Sequence, residues 1–161
     1  MIKEVSGDIL LSDAEVIAHG VAPNDHFDQG LALALRERWP GMFRDFRHFC
    51  HNSHPKAGTV WSWGGPDHVR IIALMTQEPA YDTGSKPGKA KTKHVNHCLK
   101  EFRQVIESEG YKSVALPKLS TGVGGLDWNE VLPLIQQHLG DLDVPVYLYT
   151  EFHAGVKAKE S

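Results

Sequence analysis

Short β-branched runs alternate with amphipathic stretches along most of this chain. "IKEV" (2–5) predicts a first strand and runs into Ser6, Gly7 and Asp8. "AEVIAHGV" (14–21) predicts a second, built of small and β-branched residues like a strand buried on both faces. A polar loop, "APNDHFDQG", follows. "LALALRERWPGMFRDFRHFCHN" (31–52) then predicts helix, with Leu31, Leu35 and Trp39 at helical spacing and a break near Pro40 and Gly41. "GTVWSWGG" and "VRIIALMTQ" read as two strands joined by a Gly-Pro-Asp turn. The connection "EPAYDTGSKPGKAK" is longer than most in a compact domain. "TKHVNHCLKEFRQVIESEG" predicts a helix with Val95, Leu99, Phe102 and Ile106 in one stripe and Gly110 as its stop. A strand ("YKSVALP"), a helix ("DWNEVLPLIQQHLG") and a last strand ("VPVYLYTEF") complete the order. The polar residues 154–161 are expected to fray as a tail.

Strands alternating with helices favour an α/β fold: a mixed, mostly parallel central sheet with helices on both faces. With 161 residues, the chain has the size of one ordinary domain, expected over 1–153. Its hydrophobic content of 41% and charged content of 23% are those of a soluble globular protein. The formal net charge of -3 gives no global basic field for nucleic acid, though a locally positive cleft is compatible with it. Two cysteines, Cys50 and Cys98, make no disulfide framework, so a reducing, cytoplasmic setting is expected. "MIKEVSGDIL" has no apolar signal-peptide core, and no run approaches membrane-spanning length. No membrane association, no cofactor and a monomer are expected.

In such sheets ligands gather at the carboxyl ends of strands. Three unusual loops fall there: Gly7–Ile9, Ala22–Gly30 and Ser120–Gly125. The last, "STGVGG", concentrates three costly glycines between a strand and a helix. Glycines let successive backbone N–H groups curl around an anion, and a helix N-terminus adds its dipole. A ligand-free glycine turn explains the composition as well. The second loop has the same grammar, a polar segment reaching Gly30 before a small-residue helix. Two such helix starts on one cleft suit two linked phosphates. Neither loop is a Walker motif or a dinucleotide fingerprint. Asp8 could accept from an exocyclic amine such as that of adenine, or could simply cap a turn.

"GDIL", "VIAHGV", "GLALAL" and "ALPKLSTGVGGLDWNEV", in this order over about residues 2–152, resemble the macro domains, modules that bind ADP-ribose. The Leu-x-Trp after the glycines is most similar to the branch holding the DNA ADP-ribosyl glycohydrolase antitoxins and terminal ADP-ribose glycohydrolases. The resemblance implies a three-layer α/β/α sandwich with a deep ADP-ribose cleft. It implies that Gly7, Asp8 and Ile9 meet adenine. It assigns Ala22, Asn24, Gln29 and Gly30 to one diphosphate and distal-ribose loop. Ser120, Thr121, Gly122, Val123, Gly124 and Gly125 form the other. An aromatic near the end of the last strand, Tyr149 or Phe152, would pack on the adenine. The implied partner is ADP-ribose, free or carried by a protein or nucleic acid.

Departures from the family pattern bear on activity. Phe27-Asp28-Gln29-Gly30 stands where a Met-Gly-Ala-Gly type of sequence is usual. Ala22 replaces a common asparagine or serine, and Gln77 replaces a lysine that follows the threonine in hydrolases of the branch. A catalytic aspartate of one subgroup would fall at Gly125. Lys86, Lys89, Lys91 and Lys93 crowd the long loop, and Lys86 or Lys89 could supply an amine to the ribose. Asp28 could orient a water. The alternatives are a solvated basic loop and a helix-start carboxylate. Activity as an ADP-ribosyl glycohydrolase or O-acyl-ADP-ribose deacylase stays open beside a non-catalytic reader with a degenerate cleft. His48, Cys50, His51, His54, His94, His97 and Cys98 match no compact zinc module, so no metal is expected. Trp39, Trp61, Trp63 and Trp128 read as core or cleft walls.

Overall fold

The computed structural model describes residues 1–79, 81 and 87–161. Its strands are β1 (Ile2–Gly7), β2 (Val16–Val21), β3 (Val60–Gly64), β4 (Arg70–Met75), β5 (Val114–Pro117) and β6 (Val146–Phe152). Its helices are α1 (Gly30–Arg38), α2 (Pro40–Ser53), α3 (Thr92–Glu109) and α4 (Trp128–Leu139). The expected break in the first long helix lies at Trp39. Pro40 cannot donate to the preceding turn but suits the first turn of α2. Gly110 stops α3 in the left-handed conformation, with φ 68°.

One six-stranded sheet has the order β1-β6-β5-β2-β4-β3. All neighbours are parallel except the edge strand β3, which pairs antiparallel with β4. The α3 stripe, Val95, Leu99, Phe102 and Ile106, packs with Val131, Ile135 and Leu139 of α4 on one face. Leu35 of α1 and Met42, Phe46 and Cys50 of α2 pack on the other. The result is the expected three-layer α/β/α sandwich. The four tryptophans join these two cores as partly buried walls. Among the described residues, no helix is long and apolar enough to cross a membrane.

The centre of the sheet is asymmetric. β2 pairs with β4 over its whole length, from Val16 to Val21. Against β5 it pairs only through Val16 and Ile17. Four residues of β2 therefore run on past the ladder, and Pro117 lacks the N–H that would extend it. The two carboxyl ends stand apart, and a crevice opens between them.

The C-terminal residues do not fray as expected; they fold back over the start of the chain. The Asp8 N–H donates to the Val156 carbonyl at 2.7 Å, and the His153 N–H to the Gly7 carbonyl at 3.1 Å. The Glu160 carboxylate accepts from Ser12 Oγ at 2.6 Å, the Asp13 N–H at 3.1 Å and the Tyr149 hydroxyl at 2.5 Å. A Cβ on Gly7 would lie 2.8 Å from both Ala158 N and Val156 O, so this crossing requires glycine. Charge-assisted bonds of Glu160 and the buried Ala158 outweigh the tail's polar composition.

Candidate functional site

Two adjoining cavities occupy the crevice and share Gly30, Leu31 and Pro117. One is apolar. It has a volume of about 440 Å³ and is lined by Gly7, Ile9, Leu10, Ala34, Tyr149 and Phe152. The other, of about 240 Å³, is the more polar of the two and lies between the ends of β2, β4 and β5. Together they form one elongated groove with a greasy end and a polar end, within the size range of small-molecule sites.

The polar end is built by two loops that hold themselves open. Residues 22–29 are organised by Asp25, a residue sequence reasoning passed over. Its carboxylate accepts from the Ala22 N–H and the Phe27 N–H, each at 2.9 Å. Burial pushes the Asp25 carboxyl up, and these two N–H donors oppose that rise. Phe27 takes φ 51° and is wholly buried beside Phe43 and Phe46. An Asp-centred turn and an aromatic anchor thus do what glycines do elsewhere. Asp28, Gln29 and Gly30 are pushed outward and line the groove. α1 begins at Gly30 with no side-chain cap, so its first-turn N–H groups face that end.

The second loop, 120–125, folds around its own carbonyls. The Gly125 N–H donates to Gly122 O at 3.1 Å and the Leu126 N–H to Ser120 O at 2.9 Å. Ser120 takes φ 62°, and its hydroxyl donates to Thr76 Oγ1 at 2.8 Å, tying the end of β4 to this loop. Among the described residues, the N–H groups of Thr121, Gly122, Val123 and Gly124 find no acceptor. Four successive free donors make an anion-binding concavity. The expected second helix start does not contribute in the same way. Asp127 caps α4 itself, accepting from the Asn129 N–H at 2.8 Å, because a carboxylate placed at the N-cap satisfies that end internally.

The remaining expected site residues fall into two groups. Gly7, Ile9, Gln29, Gly30, Ser120, Gly122, Val123, Gly124, Asp28 and Phe152 all line the groove. Asp8 stands between two lining neighbours, with Oδ1 accepting from the Leu10 N–H at 3.0 Å and Oδ2 from the Gly155 N–H at 2.9 Å. Each oxygen keeps a second lone pair. Both C-terminal aromatics reach the apolar end: Tyr149 as a buried wall tied to Glu160, Phe152 as a rim residue, 66% exposed. Ala22 is fully buried, and Asn24 is turned towards α2, where Arg47 Nη1 donates to its side-chain oxygen at 2.7 Å. Neither lines the groove, because the Asp25 turn directs them inward. Thr121 is tied back to the Lys118 carbonyl at 3.3 Å. Gly125 faces Lys89, whose Cδ lies 3.9 Å from the position of a Gly125 Cβ.

Gln77 occupies the lysine position of the resemblance. It is buried at the end of β4, and its Nε2 donates to Gly88 O at 3.0 Å. The returning arm of the long loop pairs there, with the Glu78 N–H donating to Lys89 O at 3.1 Å. This carries Lys89 across to the Gly125 turn. Lys86 lies outside the described residues. Lys91 pairs with Glu78 at 2.8 Å. The two cysteines sit on opposite faces of the sheet. Burial pushes the Cys98 thiol up to about 12 and raises Cys50 too, so neither is a ready nucleophile. Among the described residues, no group of three or more His, Cys, Asp or Glu side chains could hold a metal.

Sequence reasoning also missed His19. It lies on β2 at the floor of the polar end, 1% exposed, with the Phe27 ring edge-on at 5.4 Å. Among the described residues, neither ring nitrogen has a hydrogen-bond partner. Burial lowers its pKa to about 4.

With this geometry in place, comparison with known proteins assigns a class. The macro domain model matches residues 15–135, and the chain belongs to the macro domain family. Among curated relatives, it is 30% identical over 155 residues to the DNA ADP-ribosyl glycohydrolase of Mycobacterium tuberculosis, covering 91% of this chain and 42% of that protein. The chain thus spans about two-fifths of that relative's length. The solved macrodomain of Thermus aquaticus DarG superposes with a TM-score of 0.82 at 25% identity, over 93% of this chain and 98% of that one. Thermosipho africanus DarTG, solved in complex with ADP-ribose, gives 0.81 at 22% identity, over 97% of this chain and 42% of that one; at that identity it shows the fold.

Two substitutions separate shape from conformation in the second loop. A Cβ on Gly124 would lie 2.7 Å from Ser120 O and 3.0 Å from Ala90 Cβ, whereas one on Gly122 meets nothing within 4 Å. Gly124→Ala is expected to lose about 1–3 kcal/mol in urea unfolding. Gly122→Ala should leave the midpoint nearly unchanged. The His19 shift has its own signature. A folded-state pKa of about 4 against 6.5 unfolded means the unfolded chain binds more protons between those values. Burial of His19 therefore carries no charging penalty above pH 6.5, and stability is lost progressively as pH falls towards 4. The difference in stability between wild type and His19→Phe should shift by about 3 kcal/mol over that window, measured by urea titration at each pH.

Proposed function

We propose that the groove binds ADP-ribose, with adenine in the apolar end and the diphosphate and distal ribose in the polar end. The run of four N–H groups from Thr121 to Gly124 that find no acceptor among the described residues, with the uncapped start of α1 lining the same end, carries this reading. Backbone donors suit a diphosphate because they place positive dipoles close to it without side-chain bulk. Lys118 also lines the same end, with its ammonium over the Trp128 ring at 5.5 Å. Ile9, Leu10 and Ala34 offer an apolar slot for the base, and Phe152 a ring at its rim. Asp8 retains acceptor capacity for the exocyclic amine. The likeness to DNA ADP-ribosyl glycohydrolases supports ADP-ribose carried on DNA as the natural form of the ligand. Protein-borne ADP-ribose fits the same groove.

Calorimetry with free ADP-ribose is expected to show saturable one-to-one binding. Asp8→Asn keeps the size of the side chain but weakens it as an acceptor, and should raise Kd about tenfold, roughly 1.4 kcal/mol. Absence of binding by folded wild-type protein would sink the reading.

Hydrolysis is the second element of the proposal, and the path of Lys89 favours it. The bridge between Gln77 and Ala90 brings this lysine beside the Gly125 turn, from which its amine would reach the distal ribose of a bound ligand. Asp28, which lines the groove on the opposite loop, would orient a water. The committed Gln77 amide favours the other outcome, a reader that holds ADP-ribose without cleaving it. Release of ADP-ribose from modified DNA, from modified aspartate or glutamate and from modified serine decides between them. If Lys89 serves the reaction, Lys89→Ala should cut release about 100-fold with little change in Kd for ADP-ribose. Wild-type inactivity on all three substrates would leave a reader.

A further inference from the structure

We infer that His19 reads the polar end of the ligand, hydrogen-bonding a diphosphate oxygen or a distal-ribose hydroxyl, and so favours ADP-ribose over AMP. This rests on the ADP-ribose reading of the groove.

His19 is 1% exposed, yet it lines the polar cavity together with Gly20 and Val21. It stands on the part of β2 that has left the β5 ladder. Both ring nitrogens lack a partner among the described residues. Asp25, a carboxylate of the loop that lines the same cavity, is committed to the Ala22 and Phe27 N–H groups. Such a side chain is expensive to bury. Packing does not explain it. The ring meets Phe27 edge-on at 5.4 Å, a contact that phenylalanine would make equally well without unpaired polar atoms.

The protonation state fits the role. Burial keeps the imidazole neutral at physiological pH. A neutral ring offers one donor and one acceptor, which suits a phosphate oxygen, a ribose hydroxyl or both. The cost carried by the free fold is recovered when a ligand supplies those partners. A binding group that destabilises the unliganded protein is the usual trade between stability and function.

The test compares ADP-ribose, ADP and AMP by calorimetry on wild type, His19→Phe and His19→Asn, with Tm measured for each. His19→Phe is expected to weaken ADP-ribose at least tenfold, to leave AMP within twofold, and to raise Tm. His19→Asn restores a donor and an acceptor and should recover part of the loss. An ADP loss equal to that for ADP-ribose supports a diphosphate contact; unchanged ADP supports the distal ribose. As a check needing no variant, the His19 ring-nitrogen resonances of wild type should move on adding ADP-ribose and stay in place with AMP. Equal affinity of wild type and His19→Phe, equal losses on ADP-ribose and AMP, or unmoved ring resonances would overturn the inference while the groove remains an ADP-ribose site. A wild type that binds no ADP-ribose would overturn both.

Discussion

The groove depends on two neighbouring parallel strands that send their chains to opposite faces of the sheet. β2 leads into α1, which packs with α2 on one side, and β5 leads towards α4, which packs with α3 on the other. A crevice must open where the two connections diverge. Here it is deepened by early separation: the β2–β5 ladder ends after Ile17, and Pro117 carries no N–H to prolong it. His19, Gly20 and Val21 are left facing the gap. The Ser120–Thr76 hydroxyl pair bridges from the β5 loop to β4, so the opening stays fixed.

Within that frame each loop is held by its own side chains and carbonyls, and among the described residues the second leaves four successive N–H groups without an acceptor. Asp25 organises the first loop and Phe27 pins it in the core, which is why a segment poor in glycine keeps a shape that glycines commonly provide. In the second loop Gly124 is required by close packing on Ser120, and Gly125 by its φ of 76°. Glu160 and the folded-back tail hold the apolar end in a similar way, through Tyr149 and the backbone beside Asp8.

Much of the fold was legible in the sequence, because strand and helix periods alternate cleanly and breakers such as Pro40 and Gly110 stand at the boundaries. The groove loops were legible as well, since glycine clusters and strand-end positions carry their own physical signature. Other features depend on tertiary partners. Asn24 looks like a groove residue until Arg47 of α2 is seen to claim it. Asp25 and Asp28 are indistinguishable as letters and both line the groove, but only Asp25 builds the turn. The tail reads as polar and free until the crossing at Gly7 appears. His19 sits in an apolar strand where a histidine is most simply a core residue. Its burial, together with two ring nitrogens that have no partner among the described residues, singles it out.

The central claim is that the polar end binds a diphosphate through backbone donors. Amide chemical-shift mapping during titration with ADP-ribose tests it most directly. Large, saturable shifts at Thr121 to Gly124 and at the first turn of α1, reaching saturation together with Phe152, are the result this account predicts. Saturable binding whose shifts bypass those amides would contradict it, as would no binding at all.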